Sequence, residues 1–165
     1  MAELRRGRRL GIDWGDARIG VAVSDPDGLL AVALDHVPAG EQELARLADL
    51  VQEYEPLELI VGLPRSMNGT EGPAAVKVRA KATGLAARLA ERFDDQAPPI
   101  RLVDERLSTV TASRKLRSGG KKAKAQRSLI DSEAAREILD RALDAERATG
   151  QSPGQLLSGT DREDR

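Results

Sequence analysis

Cysteine is missing from all 165 residues, which excludes thiolate catalysis, Cys-ligated zinc and iron–sulfur clusters. Its absence fits a reducing compartment without requiring one. Histidine occurs once, at His36. A His-rich metal centre is therefore excluded, and a Ser/His/Asp triad would have to run through that single residue. Trp14, Tyr54 and Phe93 are the whole aromatic complement, too few to build a platform that grips bases by stacking. No apolar run approaches the roughly 18–20 residues of a membrane span. The basic RRGRR at 5–9 is followed by a stretch that Asp13 interrupts, so no secretory leader is expected. These absences predict a soluble, cytoplasmic protein with no membrane partner.

What is present predicts one globular domain over 1–147. Apolar residues make up 40% and charged residues 32% of the chain, a balance that supports a packed core. The net charge of −1 conceals its distribution. From Leu107 to Ile130 there is no acid, and 114–127 holds Arg114, Lys115, Arg117, Lys121, Lys122, Lys124 and Arg127. Such a block is either a solvated face with its loop or a surface for nucleic-acid phosphates.

Alternation and turn residues predict strands at 8–14, 18–25 and 29–37, joined as an antiparallel meander. A helix near 41–54 follows from Leu44, Leu47, Ala48, Val51 and Tyr54 at helical spacing. ELIVGLP (58–64) reads as a buried strand, 73–93 as a helix, and 100–105 as a fifth strand. A helix over 108–118 should stop at Gly119-Gly120, and a last helix should run over 129–147. The tail 148–165, rich in Gly, Ser and Gln, reads as disordered. The order βββαβαβαα predicts an α/β fold: a five-stranded mixed sheet, helices on both faces, right-handed crossovers.

Three acids could carry chemistry. Asp13 ends the first strand between Gly11 and Gly15, where a metal or phosphate could approach, or where Asp simply serves a hairpin turn. Glu105 ends the fifth strand, facing either a site or solvent. Strand alternation lets only one of Asp104 and Glu105 share a face with Asp13. Asp131 opens the last helix on its apolar side, as a ligand or as part of a capping box from Ser128. Two strand ends and a helix start could bring the three together. Clustered carboxylates repel unless they hold protons or a cation. Without His or Cys donors, Mg²⁺ or Mn²⁺ is the natural partner, an ion that activates water in phosphodiester cleavage. The loop VGLPRSMNGTEGP (61–73) is either a phosphate cradle at a helix start or an ordinary strand-to-helix turn. No Walker loop or G-x-G-x-x-G is present.

Four blocks, GIDWGDARIGVAVSD (11–25), VGLPRSMNGTEGP (61–73), DERLST (104–109) and DSEAAREIL (131–139), resemble in order and spacing the signatures of the YqgF/RuvX family. These are pre-16S rRNA nucleases related to RuvC-type Holliday-junction resolvases. The resemblance covers roughly 8–147. It implies a ribonuclease H-like fold and a metal-dependent nuclease that matures the 5′ end of 16S rRNA. Asp13, Glu105 and Asp131 map onto the family's acids and would hold Mg²⁺ or Mn²⁺. Trp14 is bulky for the slot after the first Asp. RNA, as precursor 16S rRNA, is the expected partner, with Arg18, Arg106 and the block 114–127 on its phosphates. A monomer is the expected oligomeric state. Three rival functions remain: a junction-cutting DNA nuclease, a nucleotide-binding enzyme of the actin and sugar-kinase type (suggested by DWGDARIG), and a non-catalytic RNA- or ribosome-binding protein on the same fold.

Overall fold

A computed structural model describes residues 5–65, 68, 70–105 and 123–157, with 123–131 described for the backbone alone. Strands β1 (Arg9–Trp14), β2 (Arg18–Ser24) and β3 (Ala31–Pro38) form the expected meander. The turn after β1 is tight: Gly15 N–H bonds the Arg18 carbonyl at 3.1 Å, and a Cβ on Gly15 would lie 2.6 Å from that oxygen. Helix α1 (Glu43–Tyr54) stops where Glu55 turns left-handed, and β4 (Glu58–Leu63) returns parallel to β1. Every β4 residue is buried, as suits a central strand covered on both faces. Helix α2 (Pro73–Phe93) begins at a proline, which loses nothing where N–H groups have no partner, and a 3-10 turn (Asp94–Gln96) leads to β5 (Ile100–Asp104). Helix α3 spans Ala123–Thr149, and β6 (Gln155–Leu156) pairs antiparallel to β5. Among the described residues the sheet order is β3-β2-β1-β4-β5-β6.

Alternation sorts the side chains into two cores. Leu10, Ile12, Val21, Leu59, Val61 and Leu102 face α1 and α2, meeting Leu47, Val51, Val78, Leu85 and Leu89. Ala22, Ile60 and Ala31 face α3, meeting Ala135, Ile138, Leu139, Ala142 and Leu143. The mixed sheet with helices on both faces agrees with the sequence; a short sixth strand is added at the edge.

Two boundaries differ from expectation. Helix α3 begins at Ala123, not near 129, because 123–127 (AKAQR) consists of strong helix formers. The expected disorder from Ala148 does not hold through residue 157. Gly150 adopts φ 74 and donates to the Glu146 carbonyl at 2.8 Å, ending α3. Gly154, at φ 65, passes so close to β5 that a Cβ would meet the Leu102 carbonyl oxygen at 2.1 Å. Leu157 then bonds the Ile100 carbonyl and joins the core at 4% exposure. The glycines that read as disorder are the hinges that fold the chain back. The expected helix 108–118 and the tail 158–165 lie outside the described residues.

At the end of the sheet where β1, β4 and β5 begin, buried charges tie the elements together. Arg9 is 1% exposed, Glu58 0% and Glu146 3%. Arg5 bridges Glu58 (2.7 Å) and Glu146 (2.9 Å), Arg9 reaches Glu146 at 3.3 Å, and Arg101 meets Glu58 at 3.0 Å. Burial works to raise the Glu146 carboxyl. The Arg5 hydrogen bonds and the charges of Arg5 and Arg9 outweigh it and hold the group below its ordinary value.

Leu157→Ala should cost about 2–5 kcal/mol in a urea titration, as for other buried leucines; a neutral result would mean the tail does not dock. Glu146→Ala should cost about 3–5 kcal/mol at neutral pH, because Arg9 is left buried without its partner. An unfolded glutamate titrates near about 4.3, above folded Glu146, so its stabilisation is complete above that pH and is lost as pH falls through the folded value. The variant's stability should therefore fall less steeply than the parent's in that acid range.

Candidate active site

Strands β1, β4 and β5 run parallel, so their carboxyl ends share one edge. Asp13 sits at this end of β1, 9% exposed. It has the parity of Gly11, and Gly11 contacts α3: a Cβ there would meet the Ala135 carbonyl oxygen at 2.9 Å and Leu139 Cβ at 3.0 Å. Asp13 is therefore on the α3 face of the sheet.

Glu105 directly follows β5 and is brought to the same place. A Cβ on Gly62 of β4 would lie 3.5 Å from Glu105 Oε2, 3.3 Å from its Cβ and 2.7 Å from Ile138 Cδ1. The Glu105 carboxylate thus extends over Gly62, in a space that exists because residue 62 has no side chain. Ile12 pairs with Val61, so the next step of that register sets Asp13 beside Gly62. Asp13 and Gly62 thus each lie one residue past the last paired position of two neighbouring strands.

Asp131 is located through its helix. Glu146 of α3 contacts Arg9, while Ala135 and Leu139 contact Gly11, so α3 runs antiparallel to β1. Its earlier turns overlie the carboxyl end of β1, and the Asp131 backbone is one turn before Ala135 in that direction. With α3 beginning at Ala123, Asp131 is no longer in a first turn, and the capping-box alternative loses the helix start it needs. Sequence reasoning missed Ser132. This 1%-exposed hydroxyl accepts the Val21 N–H at 3.4 Å and fixes α3 on β2. The signal was there, since Ser132, Ala135 and Leu139 recur at helical spacing on the buried side. The role of Gly62 as clearance for Glu105 was also missed, because only a fold brings residue 105 over residue 62.

The other expected residues are less gathered. Arg18 starts β2 opposite Pro38, two residues before Gly20, the cross-strand partner of Asp13. Lys124 and Arg127 lie on the α3 backbone, with side chains outside the described set. Arg106, Arg114, Lys115, Arg117, Lys121 and Lys122 lie outside the described residues. In the 61–73 loop, Glu71 is bound by Arg79 at 2.7 and 2.6 Å and approached by Arg65 at 3.8 Å. The Arg79 hydrogen bonds hold the Glu71 carboxyl below its ordinary value. Asp16 in the β1–β2 turn takes the Lys77 ammonium at 2.9 Å.

Among the described residues no group of three His, Cys, Asp or Glu is placed to hold a metal ion. Asp13 and Glu105 supply two carboxylates on one face, and oxygen donors of this kind fit Mg²⁺ or Mn²⁺. Gly62→Ala tests the arrangement. It should cost about 1–3 kcal/mol by urea unfolding, because either Ile138 or Glu105 must give way. Parent stability in the variant would mean that the space over Gly62 is not needed.

The sequence model of the family described as "RuvX: Holliday junction resolvase" matches residues 7–145. A protein of Streptomyces avermitilis named "Putative pre-16S rRNA nuclease" is 54% identical over 154 residues, 92% of this chain and 95% of the relative. Proteins of the same name from Nocardioides sp. (49%, covering 95% of this chain and 100% of the relative) and Thermobifida fusca (50%, 95% and 99%) are similarly related. Among solved structures, Thermus thermophilus RuvC in complex with a Holliday junction superposes with a TM-score of 0.54 over 91% of this chain and 99% of that one. At 21% identity this likeness establishes the fold alone. With the family signature running from the first strand through α3, this chain belongs to the RuvX family.

Proposed function

We propose that this chain is a metal-dependent nuclease that hydrolyses phosphodiester bonds in RNA and matures the 5′ end of precursor 16S rRNA in the cytoplasm. The observation that carries this is the placement of Asp13 and Glu105 on one face at the carboxyl ends of parallel strands, with Gly62 clearing the space between. Membership of the RuvX family and the names of its relatives support the activity and the substrate.

Asp13, Glu105 and Asp131 would hold Mg²⁺ or Mn²⁺. Bound there, the ion supplies Lewis acidity and offsets charge that builds on the phosphate oxygens. The chain's own share is to fix the acids. Asp13 is held on a strand within a sheet, Glu105 over a glycine, and Asp131 on a helix pinned through Ser132. Carboxylates gathered on one face repel one another, and a cation held among them would offset that repulsion. Arg18, Arg106, Arg114, Lys115, Arg117, Lys121, Lys122, Lys124 and Arg127 would hold phosphates flanking the cut. Water adds across the P–O bond, leaving a phosphate monoester and a hydroxyl. The nucleotide-binding alternative gains no support from the family match.

Cleavage of precursor 16S rRNA, with a four-way DNA junction in parallel, tests the proposal. Asp13→Asn and Glu105→Gln should each abolish cutting while RNA binding persists, since phosphate contacts elsewhere supply affinity. Added Mn²⁺ should raise the parent's Tm more than either variant's. Full activity in both variants would leave an RNA-binding protein on a nuclease fold, and cutting of the junction alone would make DNA the substrate. Replacing Lys121, Lys122 and Lys124 by Ala should flatten the salt dependence of RNA binding, by roughly 0.7 in log–log slope per lost contact. An unchanged slope would mean those lysines are merely solvated.

A further inference from the structure

The residue after Asp13 is the only tryptophan of the chain, and it lies on the opposite face of the sheet. Its indole Nε1–H donates to Glu43 Oε2 at 3.1 Å. The same oxygen takes the Lys81 ammonium at 2.9 Å, and Oε1 takes the Gly40 N–H at 3.0 Å. Glu43 is 4% exposed. One buried carboxylate thus joins four places: the end of β1, the loop before α1, α1 itself and α2. Burial works to raise this carboxyl, but the three hydrogen bonds and the Lys81 charge hold it below its ordinary value. It is therefore an ion at neutral pH, and an ionised acceptor makes the stronger hydrogen bond.

The end of β1 needs such a hold. Pairing with β4 runs from Arg9 to Ile12 and stops there, whereas pairing with β2 continues through Asp13 and Trp14. Beyond Ile12 the strand is tied on one side by its ladder, and Trp14 ties it from below. Adjacent residues of a strand point to opposite faces, so fixing the indole fixes the backbone that aims Asp13.

We propose that Glu43 is a positioning residue that acts through the Trp14 indole to aim the Asp13 carboxylate. The inference rests on the nuclease reading of Asp13 above. It also gives a role to the bulky residue after the first acid: the ring provides the apolar body that packs and the N–H that is gripped.

The test uses Trp14→Phe, which keeps an aromatic ring but has no N–H, together with Glu43→Gln and the double variant. Each single change should lower kcat on the RNA substrate about tenfold or more with KM nearly unchanged, as small misplacements at a reacting centre do. The double variant should be no worse than the worse single one, because Trp14→Phe removes the contact that Glu43→Gln weakens. In Glu43→Gln the emission of the sole tryptophan should shift, and the Mn²⁺-induced rise in Tm should shrink in all three. Losses of kcat that follow only the loss of folded protein, or that add in the double variant, overturn the proposal. So does a parental kcat in Trp14→Phe. If Asp13→Asn is inactive while Trp14→Phe cuts like the parent, the positioning role alone fails. If Asp13→Asn cuts like the parent, the nuclease reading fails and takes this inference with it.

Discussion

Where α3 crosses β1, the Ala135 carbonyl oxygen lies 2.9 Å from the point at which Gly11 would carry a Cβ, and at β4 the Ile138 methyl lies 2.7 Å from the corresponding point on Gly62. The end of the sheet that carries Asp13 and Glu105 depends on this approach. Any side chain at Gly11 would lift the helix, and a packed interior transmits such a shift rather than absorbing it. Lifting α3 would draw the Asp131 backbone away from Asp13 and break the 3.4 Å bond from Val21 to Ser132. The Gly62 clearance does two jobs, admitting Ile138 from the helix and Glu105 from the end of β5.

The helix is pinned at two places, Ser132 and Glu146, by different chemistry. Near its carboxyl end Glu146 is held by Arg5 and Arg9. Breaking such a buried pair is costly even where the intact pair adds little net stability, so it serves register better than affinity. Between the pins lie the apolar contacts of Ile138, Leu139, Ala142 and Leu143, which have no strong preference among neighbouring registers. Polar groups that must be satisfied supply that preference. One end of the sheet then carries the ion pairs of Glu58, Arg9 and Arg101, and the other carries Asp13 and Glu105.

Most of this architecture was legible in local pattern. Alternation in RIGVAVS and helical spacing from Val78 to Leu89 report burial directly, because period follows backbone geometry. Asp13 and Glu105 were legible as acids at strand ends, whereas Asp131, which reads as opening a helix, lies eight residues after the α3 start at Ala123. Long-range consequences were not legible. Gly150 and Gly154 look alike in a flexible tail and in a hinge, and Leu102, which decides between them, is about fifty residues away. Glu43 sits on the buried side of α1, but its partners come from Gly40, Lys81 and Trp14, which only tertiary packing assembles. Trp14 reads from the sequence only as bulky for the slot after the first acid; the acceptor of its N–H is supplied by the fold.

Chain connectivity links the acids to the basic block. Glu105 and Asp131 bound the acid-free stretch, and Arg114 through Lys122 lie within it, between Glu105 and the start of α3 at Ala123. Glu105 is at the site itself, and Ala123 is eight residues before Asp131, roughly 12 Å along a helix. On the nuclease reading, the cations that would gather phosphates are thus covalently tethered on both sides to the carboxylates that would act on them. On that reading the block would also offset a penalty that gathered acids impose. Clustered carboxylates repel a polyanion as well as one another, and neighbouring cations lower that barrier to approach. Binding and chemistry can then be carried by different residues on one stretch of chain, so affinity can change without disturbing the acids.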